Sequence, residues 1–170
     1  MKTWFTADTH FGHVNIISYT NRPFKDVHSM NKALIENWND RVDKNDIVIF
    51  LGDFCFKEKP EKYLEKLNGH IVFVRGNHDH NNSLNTRIEY LVLEADNREI
   101  YCVHNPEDYS TAYSINLVGH VHDNWKVKRL YKTIMVNVGV DVWEYYPADI
   151  NEISKAIEEF KKTDTKYPKR

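Results

Sequence analysis

The sequence predicts an α/β fold in which two packed β-sheets have helices on their outside. Two observations lead to this interpretation. The first half of the chain alternates strand-like and helix-like segments, and the second half consists mostly of short strand-like runs. No repeat and no Gly-, Ser- or Pro-rich linker divides the 170 residues. We therefore expect one domain over residues 1–162, followed by a short, frayed basic tail over 163–170.

The first strand and the first long helix are expected over residues 2–7 and 30–42. The strand ends at Asp8, and Ser29 is a suitable N-cap for the helix. Apolar side chains recur on one face of the helix at Met30, Leu34, Trp38 and Val42. This spacing predicts a helix that buries one face.

The middle of the chain predicts two strands that are buried on both faces. Ile47–Leu51 is a continuous apolar run, and Ile71 to Arg75 is another that breaks at Gly76. Between them, a short helix over about 60–67 ends at Asn68-Gly69, a sequence typical of a left-handed helix terminus.

The second half predicts a hairpin, three short strands and a final helix. The hairpin pairs residues 87–95 with 98–104 around Asp96-Asn97. The three strands are expected over 115–118, 126–131 and 133–138. The final helix begins near Asp149, where Asp149 and Glu152 have the spacing of a capping box.

Composition excludes several classes of protein. A hydrophobic content of 41% excludes an intrinsically disordered chain. The longest apolar run, Ile47–Leu51, is far shorter than the roughly 20 residues that span a bilayer. The net charge of -2 gives no electrostatic basis for binding long nucleic acid. The N-terminus lacks a signal-peptide pattern, and Cys55 and Cys102 lie in apolar stretches, so we expect a cytoplasmic protein with buried, reduced thiols and no membrane partner.

Five short polar segments share one position, at or just beyond the end of a predicted strand. They are Asp8-Thr9-His10, Gly52-Asp53, Gly76-Asn77-His78-Asp79, Val103-His104 and Gly119-His120-Val121-His122. Ligands of open α/β sheets gather outside the carboxyl ends of the strands. The segments therefore predict one polar site at this edge of the sheets.

The residue types in these segments are those of a metal site. Asp8 with His10, and His120 with His122, are i, i+2 pairs, which in extended backbone point to the same side. Imidazole nitrogens and carboxylate oxygens suit Mn, Fe, Zn or Ni. Seven such ligands are too many for one ion, and no Cys belongs to the set, which argues against a structural zinc site. The glycines that open the second and third segments permit close backbone approach.

The ordered set D-x-H, G-D, G-N-H-D, H and G-H-x-H resembles the calcineurin-like metallophosphoesterase superfamily. The resemblance spans Asp8 to His122 and is greatest to small bacterial and phage members that begin D-T-H-F-G-H. It implies a four-layer α/β/β/α sandwich of two mixed β-sheets flanked by helices. His104 is followed here by Asn105-Pro106, where many relatives carry Gly in a loop that shapes substrate choice. The resemblance therefore implies less about substrate specificity than about the fold and the metal site.

The resemblance also implies a dimetal centre. The candidate ligands divide into one set for each ion and a shared carboxylate: Asp8, His10 and His122; Asn77, His104 and His120; and Asp53 as the bridge. We expect two divalent ions, Mn before the alternatives Fe, Zn, Ni and Mg. Two ions about 3.5–4 Å apart can share a hydroxide that attacks phosphorus opposite the leaving oxygen.

Two residues of the third segment are expected to act on the substrate. The resemblance implies that His78 is not a ligand but gives a proton to the leaving oxygen or stabilises charge on the phosphoryl group. Asp79 either orients the His78 imidazole or is purely structural. His80, two residues on, is a further candidate for the mouth of the site.

Several neighbouring residues have two interpretations. His13 either contacts substrate or caps a helix. Asn15 and Arg22 are candidates to bind phosphate oxygens, with a surface position as the alternative for the arginine. Phe54 and Phe56 either line a base-binding pocket or pack in the core.

Together these inferences predict a dimetal phosphoesterase. Its expected partner is a small phosphodiester or phosphomonoester, in particular of a nucleotide. A DNA- or RNA-cleaving nuclease of the same fold is an alternative, which the net charge of -2 and the lack of a basic stripe disfavour. A non-catalytic scaffold of the same fold is another, which the retention of every candidate ligand and of His78 disfavours. The physiological substrate, the native metal and the oligomeric state are left open.

Overall fold

The computed structural model describes residues 1–79, 84, 86–95 and 97–164. In chain order, its strands and helices are β1 (Thr3–Thr6), α1 (Ile16–Tyr19), α2 (Val27–Arg41), β2 (Ile47–Leu51), α3 (Glu61–Leu64), β3 (His70–Val74), β4 (Tyr90–Ala95), β5 (Arg98–Val103), β6 (Ile115–Val118), β7 (Val127–Leu130), β8 (Thr133–Asn137), β9 (Ala148–Asp149) and α4 (Ile150–Thr163). None of the helices in these ranges combines the length and the apolar surface that a membrane span needs.

The strands form two mixed β-sheets. In the first sheet the order is β3-β2-β1-β9, with β1, β2 and β3 parallel and β9 antiparallel. In the second sheet the order is β4-β5-β6-β8-β7, with β5, β6 and β8 parallel. The prediction of an α/β fold with two packed mixed sheets flanked by helices is confirmed.

Side chains on one face of the first sheet form the core between the sheets. Phe5 and Ile49 pack there with Leu117 and Val136 of the second sheet. Ile153 of α4 joins the same core, so this helix packs along both sheets. Because period-2 alternation sends every second strand residue inward, both sheets contribute to one apolar layer.

The opposite face of the first sheet packs against α2. Val48 and Phe50 contact the buried side of this helix, which includes Leu34 and Trp38. Trp38 is 1% exposed, and its indole N–H donates to the Asn68 carbonyl at 2.9 Å. Burial on both faces is the physical reason that β2 is a continuous apolar run.

Helix α2 begins earlier than the sequence predicts. Its N-cap is Asp26, whose carboxylate accepts a hydrogen bond from Ser29 N at 2.7 Å, while Ser29 Oγ accepts one from Asp26 N at 3.3 Å. The expected Ser29 cap is therefore wrong. Ser29 is instead the third residue of the helix and the reciprocal partner in a capping box.

Edge strands and short elements account for the other differences. Strand β3 is mostly half-buried rather than buried on both faces, because it lies at the edge of the first sheet. The short elements α1 and β9 leave no periodic pattern in the sequence. The β4–β5 hairpin is confirmed, although its turn residue Asp96 lies outside the described residues. The capping box of Asp149 and Glu152 that starts α4 is also confirmed.

The parallel strands bring their carboxyl ends to one edge, where the two sheets meet. Polar segments follow β1, β2, β3, β5 and β6, as predicted, and a sixth follows β8. An isolated parallel bridge pairs Ala7, after β1, with Gly139, after β8. Val140 N also donates to the Ala7 carbonyl at 3.1 Å. The site at this edge therefore draws on both sheets.

Candidate metal centre

The first cluster consists of Asp8, His10 and His122, and one ligand-type atom of each lies within 4.8 Å of the others. Asp8 and His10 follow β1, and His122 follows β6. Asp8 and His10 are buried, while His122 is half-buried. A carboxylate and two imidazoles at this spacing can hold one divalent ion.

The second cluster consists of Asp53, His104 and His120, again with one ligand-type atom each within 4.8 Å of the others. Asn77 adjoins it, because its Oδ1 lies 3.0 Å from His104 Nε2 and 2.9 Å from His120 Nδ1. His104 Nδ1 lies 2.6 Å from the Leu51 carbonyl. A carbonyl oxygen only accepts, so Nδ1 carries the hydrogen and Nε2 faces the cluster.

Asp53 lies between the two clusters. Its Oδ2 is 3.5 Å from His10 Nε2 and 3.5 Å from His104 Nε2. Its other oxygen, Oδ1, accepts a hydrogen bond from His78 N at 2.9 Å. One carboxylate oxygen thus approaches an imidazole of each cluster, which is the geometry that a shared ligand requires. The ligand roles themselves stay predictions.

The backbone at these residues is not the extended one expected from the i, i+2 spacing. Asp8, His10, Asp53, His120 and His122 all have φ between 48° and 70°, in the left-handed region. Asp8 and His10 reach one cluster, whereas His120 and His122 reach different clusters, and tight left-handed turns after the strands aim all four side chains. The expected extended geometry is therefore wrong. Such a conformation costs a non-glycine residue about 1–3 kcal/mol, and it recurs at functional sites.

Gly52 and Gly76 allow the ends of β2 and β3 to approach each other, as predicted. A Cβ on Gly52 would lie 2.5 Å from Gly76 Cα and 2.6 Å from His104 Nδ1. A Cβ on Gly76 would collide with Asp53 Oδ1 and Asp53 N. These positions exclude any side chain because the second cluster occupies the space.

Burial and charge act in opposite directions on the two carboxylates. Burial raises the pKa of Asp8 to about 7, although the charges of His104 and His122 oppose this effect. Burial also opposes ionisation of Asp53, but the hydrogen bond and charge of His104 hold the pKa of Asp53 well below its usual range. Burial lowers the pKa of His104, yet the Asp53 pair and the Asp8 charge raise it to about 9.

The first cluster fits a bound divalent cation on an observation of its own. Both ring nitrogens of His10 are buried and have no hydrogen-bond partner among the described residues. Buried polar atoms in native proteins are otherwise almost always paired. In the second cluster, His104 Nε2 lies 3.0 Å from Asn77 Oδ1, and because the pKa of His104 is raised to about 9, a proton on Nε2 joins the two atoms when no cation is bound.

Asp141, in the segment after β8, is a functional candidate that the sequence reasoning missed. Its Oδ2 lies 2.9 Å from His122 Nδ1. Burial raises the pKa of Asp141, but the hydrogen bonds of His122 and Arg22 lower it below its ordinary value overall, so the carboxylate accepts. His122 Nδ1 therefore donates, and Nε2 is left for the first cluster. Extending the strand-end rule to Gly139-Val140-Asp141 would have found it.

Neither interpretation of Arg22, contact with phosphate or a surface position, is correct, because its guanidinium is buried and bound internally. Nε and Nη2 donate to the Asp141 carboxylate at 2.7 and 2.9 Å. Nη2 and Nη1 donate to the carbonyls of Asp8 and Thr9 at 2.7 and 3.0 Å. Arg22 is thus a positioning residue that joins the segment after β1 to Asp141.

Asp79 has the structural role that was one of its two interpretations. Its Oδ2 accepts from Asp53 N at 2.9 Å and from Gly76 N at 2.7 Å, and its Oδ1 accepts from Phe54 N at 3.1 Å. The carboxylate therefore ties the segments after β2 and β3 together. Its other expected role, to orient His78, stays a prediction.

His78 lies beside both clusters. Its side chain is 40% exposed, and its Nε2 is 4.0 Å from Asp53 Oδ2. Its ring centroid is 5.4 Å from that of His10. An accessible imidazole thus faces the space next to the clusters, and its catalytic role stays a prediction.

His13 and Phe56 form the rim of the site next to His10. Their rings stack with centroids 4.0 Å apart, and the His13 ring is 5.4 Å from that of His10. The N-cap of α1 is Asn15, so His13 does not have the capping role. Asn15 is exposed, and contact of His13 or Asn15 with substrate stays a prediction.

The two candidate aromatic residues separate in the structure. Phe54 is fully buried and packs against Phe50 with ring centroids 5.3 Å apart, so it belongs to the core. Phe56 is half-buried and meets the edge of His78 at 5.7 Å, at the rim. His80 lies outside the described residues, so its position stays a prediction.

The whole chain is similar to known proteins in sequence. The model of the calcineurin-like phosphoesterase superfamily domain matches residues 1–148. The uncharacterized protein MJ1445 of Methanocaldococcus jannaschii is 40% identical over 172 aligned residues, which cover 94% of this chain and 93% of that protein.

Solved structures give the same fold. The protein of unknown function AQ665 from Aquifex aeolicus is 23% identical, with a TM-score of 0.70 over 91% of this chain and 98% of that chain. Vps29 from Chaetomium thermophilum is 12% identical, with a TM-score of 0.50 over 79% of this chain and 66% of that chain. At these identities the likeness is one of fold. The family match, in contrast, includes every residue of both clusters. The chain therefore belongs to the calcineurin-like phosphoesterase superfamily.

Proposed function

We propose that this chain is a dimetal-dependent phosphoesterase that hydrolyses a phosphodiester or a small phosphomonoester, in particular of a nucleotide. The observation that carries the proposal is the meeting of two cation-type clusters at one carboxylate, Asp53. Membership of the phosphoesterase superfamily supports hydrolysis of a phosphoric ester. The net charge of -2 favours a small ester over long nucleic acid.

The proposed ligands divide between two divalent ions, with Mn²⁺ before Fe, Zn, Ni or Mg: Asp8, His10 and His122; Asn77, His104 and His120; and Asp53 shared by both. Such ions supply an activated water nucleophile and neutralise charge on the phosphoryl oxygens. The protein's own contribution is to aim the imidazoles. His104 is held by the Leu51 carbonyl and His122 by Asp141, so each keeps Nε2 toward its cluster.

His78 is the proposed proton donor to the leaving oxygen. Its backbone N–H is held by Asp53 Oδ1, which fixes the start of the side chain relative to the clusters. Its imidazole is accessible, unlike the buried ring of His10. General acid assistance of this kind contributes about 10²–10⁴-fold in rate.

Metal analysis together with turnover tests the proposal. The purified chain would be stripped with chelator, reloaded with Mn²⁺, Ni²⁺, Zn²⁺ or Mg²⁺, and analysed for bound metal. Each form would then be assayed on aryl monoesters, aryl diesters and cyclic and linear nucleotides. We expect two bound ions, with hydrolysis that chelation abolishes and metal restores.

Asp53→Asn tests the shared ligand, and Asp40→Asn on an exposed part of α2 is the matched control. The first variant should lose metal occupancy and turnover together, and the second should lose neither. Two bound ions with full activity in Asp53→Asn would contradict the shared role. Two ions without turnover of any ester would favour the scaffold, and cleavage confined to polynucleotides with steep salt dependence would favour the nuclease.

A further inference from the structure

A cavity of about 450 Å³ opens beside the second cluster. Asn77 and His104 line the cavity together with residues of β4, β5 and the segments after β3 and β5. Its volume is within the roughly 300–1,000 Å³ typical of small-molecule sites. The proposed chemistry uses only Asn77 and His104, which leaves the other lining residues without a role.

One wall of the cavity is a stack of tyrosines. The rings of Tyr90 and Tyr101 are 5.2 Å apart at 28°, and Tyr113 continues the stack 5.4 Å beyond Tyr101 at 17°. Tyr90 is the ring at the open end and is 57% exposed. A planar ring entering the cavity can extend the stack on Tyr90, and stacking of a base on an aromatic side chain is favourable for every base.

The polar groups of the cavity carry both signs of charge. Arg75 Nη2 donates to Glu89 Oε1 at 2.6 Å. Asp108 and Asn105 also line the cavity. Two carboxylates against one guanidinium disfavour a second phosphate here. They suit an uncharged group that both donates and accepts hydrogen bonds, as the edges of nucleobases and the hydroxyls of sugars do.

The position of His78 indicates which group of the ester leaves and which group occupies the cavity. His78 is near Asp53 as well, but the rings that its imidazole contacts are those of Phe56 and of His10 in the first cluster. The cavity adjoins Asn77 and His104, on the side of the second cluster. A leaving group that takes its proton from His78 therefore departs away from the cavity, so the cavity holds the group that stays on phosphorus.

We propose that the cavity defined by Tyr90, Tyr101, Arg75 and Glu89, hereafter the tyrosine cavity, binds the nucleoside of a nucleotide ester as the retained group, with its base on Tyr90. This inference rests on the proposed function. It makes Tyr90 a specificity-determining residue, and it narrows the substrate class to esters of a nucleoside phosphate.

Two diesters with the same leaving group test the tyrosine cavity. One is the nitrophenyl ester of thymidine 5′-phosphate, and the other is methyl nitrophenyl phosphate. The ratio of their kcat/KM values on the Mn²⁺-loaded chain isolates the contribution of the nucleoside. Tyr90→Ala should lower this ratio by about 5- to 150-fold, the effect expected of one lost stacking contact. Tyr90→Phe should retain the ratio, and Tyr131→Ala, at a tyrosine that is 81% exposed elsewhere, should leave it unchanged.

Calorimetric binding of thymidine 5′-monophosphate and of methyl phosphate, with and without Mn²⁺, gives a second readout that needs no turnover. We expect the nucleotide to bind more tightly, and Tyr90→Ala to remove that preference. Cleavage of both diesters with a ratio that Tyr90→Ala does not change would overturn the tyrosine cavity and leave the proposed function standing. If neither diester is cleaved, the diester form of the proposed function fails, and the aryl monoester assay decides the monoester form. In that case the calorimetric affinities alone test the tyrosine cavity. A preference for the nucleotide that depends on Tyr90 supports the cavity, and equal affinities for the two ligands overturn it.

Discussion

Asp141→Asn is the substitution whose effects the structure specifies most closely. The Arg22 and Asp141 side chains are 0% and 1% exposed, so their ion pair is fully buried. Removing one partner of a buried pair costs about 3–5 kcal/mol, because the other charge is left without compensation. Asparagine keeps the volume and one acceptor oxygen, so we expect a loss near 3 kcal/mol. For a chain of this length, that lowers Tm by about 6–12 °C.

The control for this substitution is Glu36→Gln, in the exposed pair of Lys32 and Glu36, whose side chains are 67% and 63% exposed. An exposed pair contributes less than about 1 kcal/mol, so Tm should barely move. Both variants would be melted in chelator, so that ion binding makes no contribution. A loss in Asp141→Asn no larger than in the control would refute the buried ion pair as a stabilising contact.

The same variant tests how His122 is aimed. Its Nδ1–H donates to Asp141, and loss of such a partner typically weakens metal affinity by about 10–100-fold. Mn²⁺ titration of the folded variant, at a temperature well below its Tm, separates this effect from instability. Unchanged Mn²⁺ affinity would show that Asp141 supports the fold but does not orient the imidazole.

Three further predictions concern other parts of the molecule. His78→Ala should keep both ions yet lower turnover by about 10²–10⁴-fold. The loss should be smaller for a nitrophenolate leaving group, because that group needs no proton. Loss of a metal ion in this variant would contradict the assignment of His78 as a non-ligand. Hydrogen bonds from Trp4 and Lys2 lower the pKa of Asp46 to about 2, so its stabilisation is present above about pH 4 and is lost as pH falls toward 2. The Tm values of the native chain and Asp46→Asn should therefore converge over that range, and a constant gap would contradict the linkage. Trp38→Ala should cost about 3–5 kcal/mol in urea unfolding, and a loss below about 1 kcal/mol would mean that α2 repacks.

The strand-end site was predictable because two simple rules apply to it. Continuous apolar runs such as β2 mark strands buried on both faces. Parallel strands end at one edge, so Asp8, Asp53 and His104 could be expected together although they lie far apart in the chain. The strand-end rule also identifies Asp141 when it is extended to the segment after β8. The apolar-run rule, in contrast, was wrong for the edge strand β3.

The other features of the site depend on long-range pairing and on backbone conformation. The type of a residue reveals neither of these. Arg22 was expected to face phosphate, but its partner Asp141 lies 119 positions away, and nothing local distinguishes an internal arginine from a binding one. The sequence places the Asp79 carboxylate next to His78, but it does not reveal that this carboxylate accepts hydrogen bonds from three backbone N–H groups. Asp and His adopt positive φ more often than most non-glycine residues but still in a minority of cases, so residue type alone does not locate the left-handed turns after β1 and β6.

Those left-handed turns aim the proposed metal ligands but lower the stability of the folded chain. Each residue held there costs the folded chain about 1–3 kcal/mol, which a bound ion can offset and an empty site cannot. In a lineage that no longer needs the proposed hydrolysis, glycine at Asp8 or His122 would relieve backbone strain and delete a proposed metal ligand in one substitution. Substitutions that remove the proposed metal centre can therefore be retained because they stabilise the fold, before the protein acquires any new role.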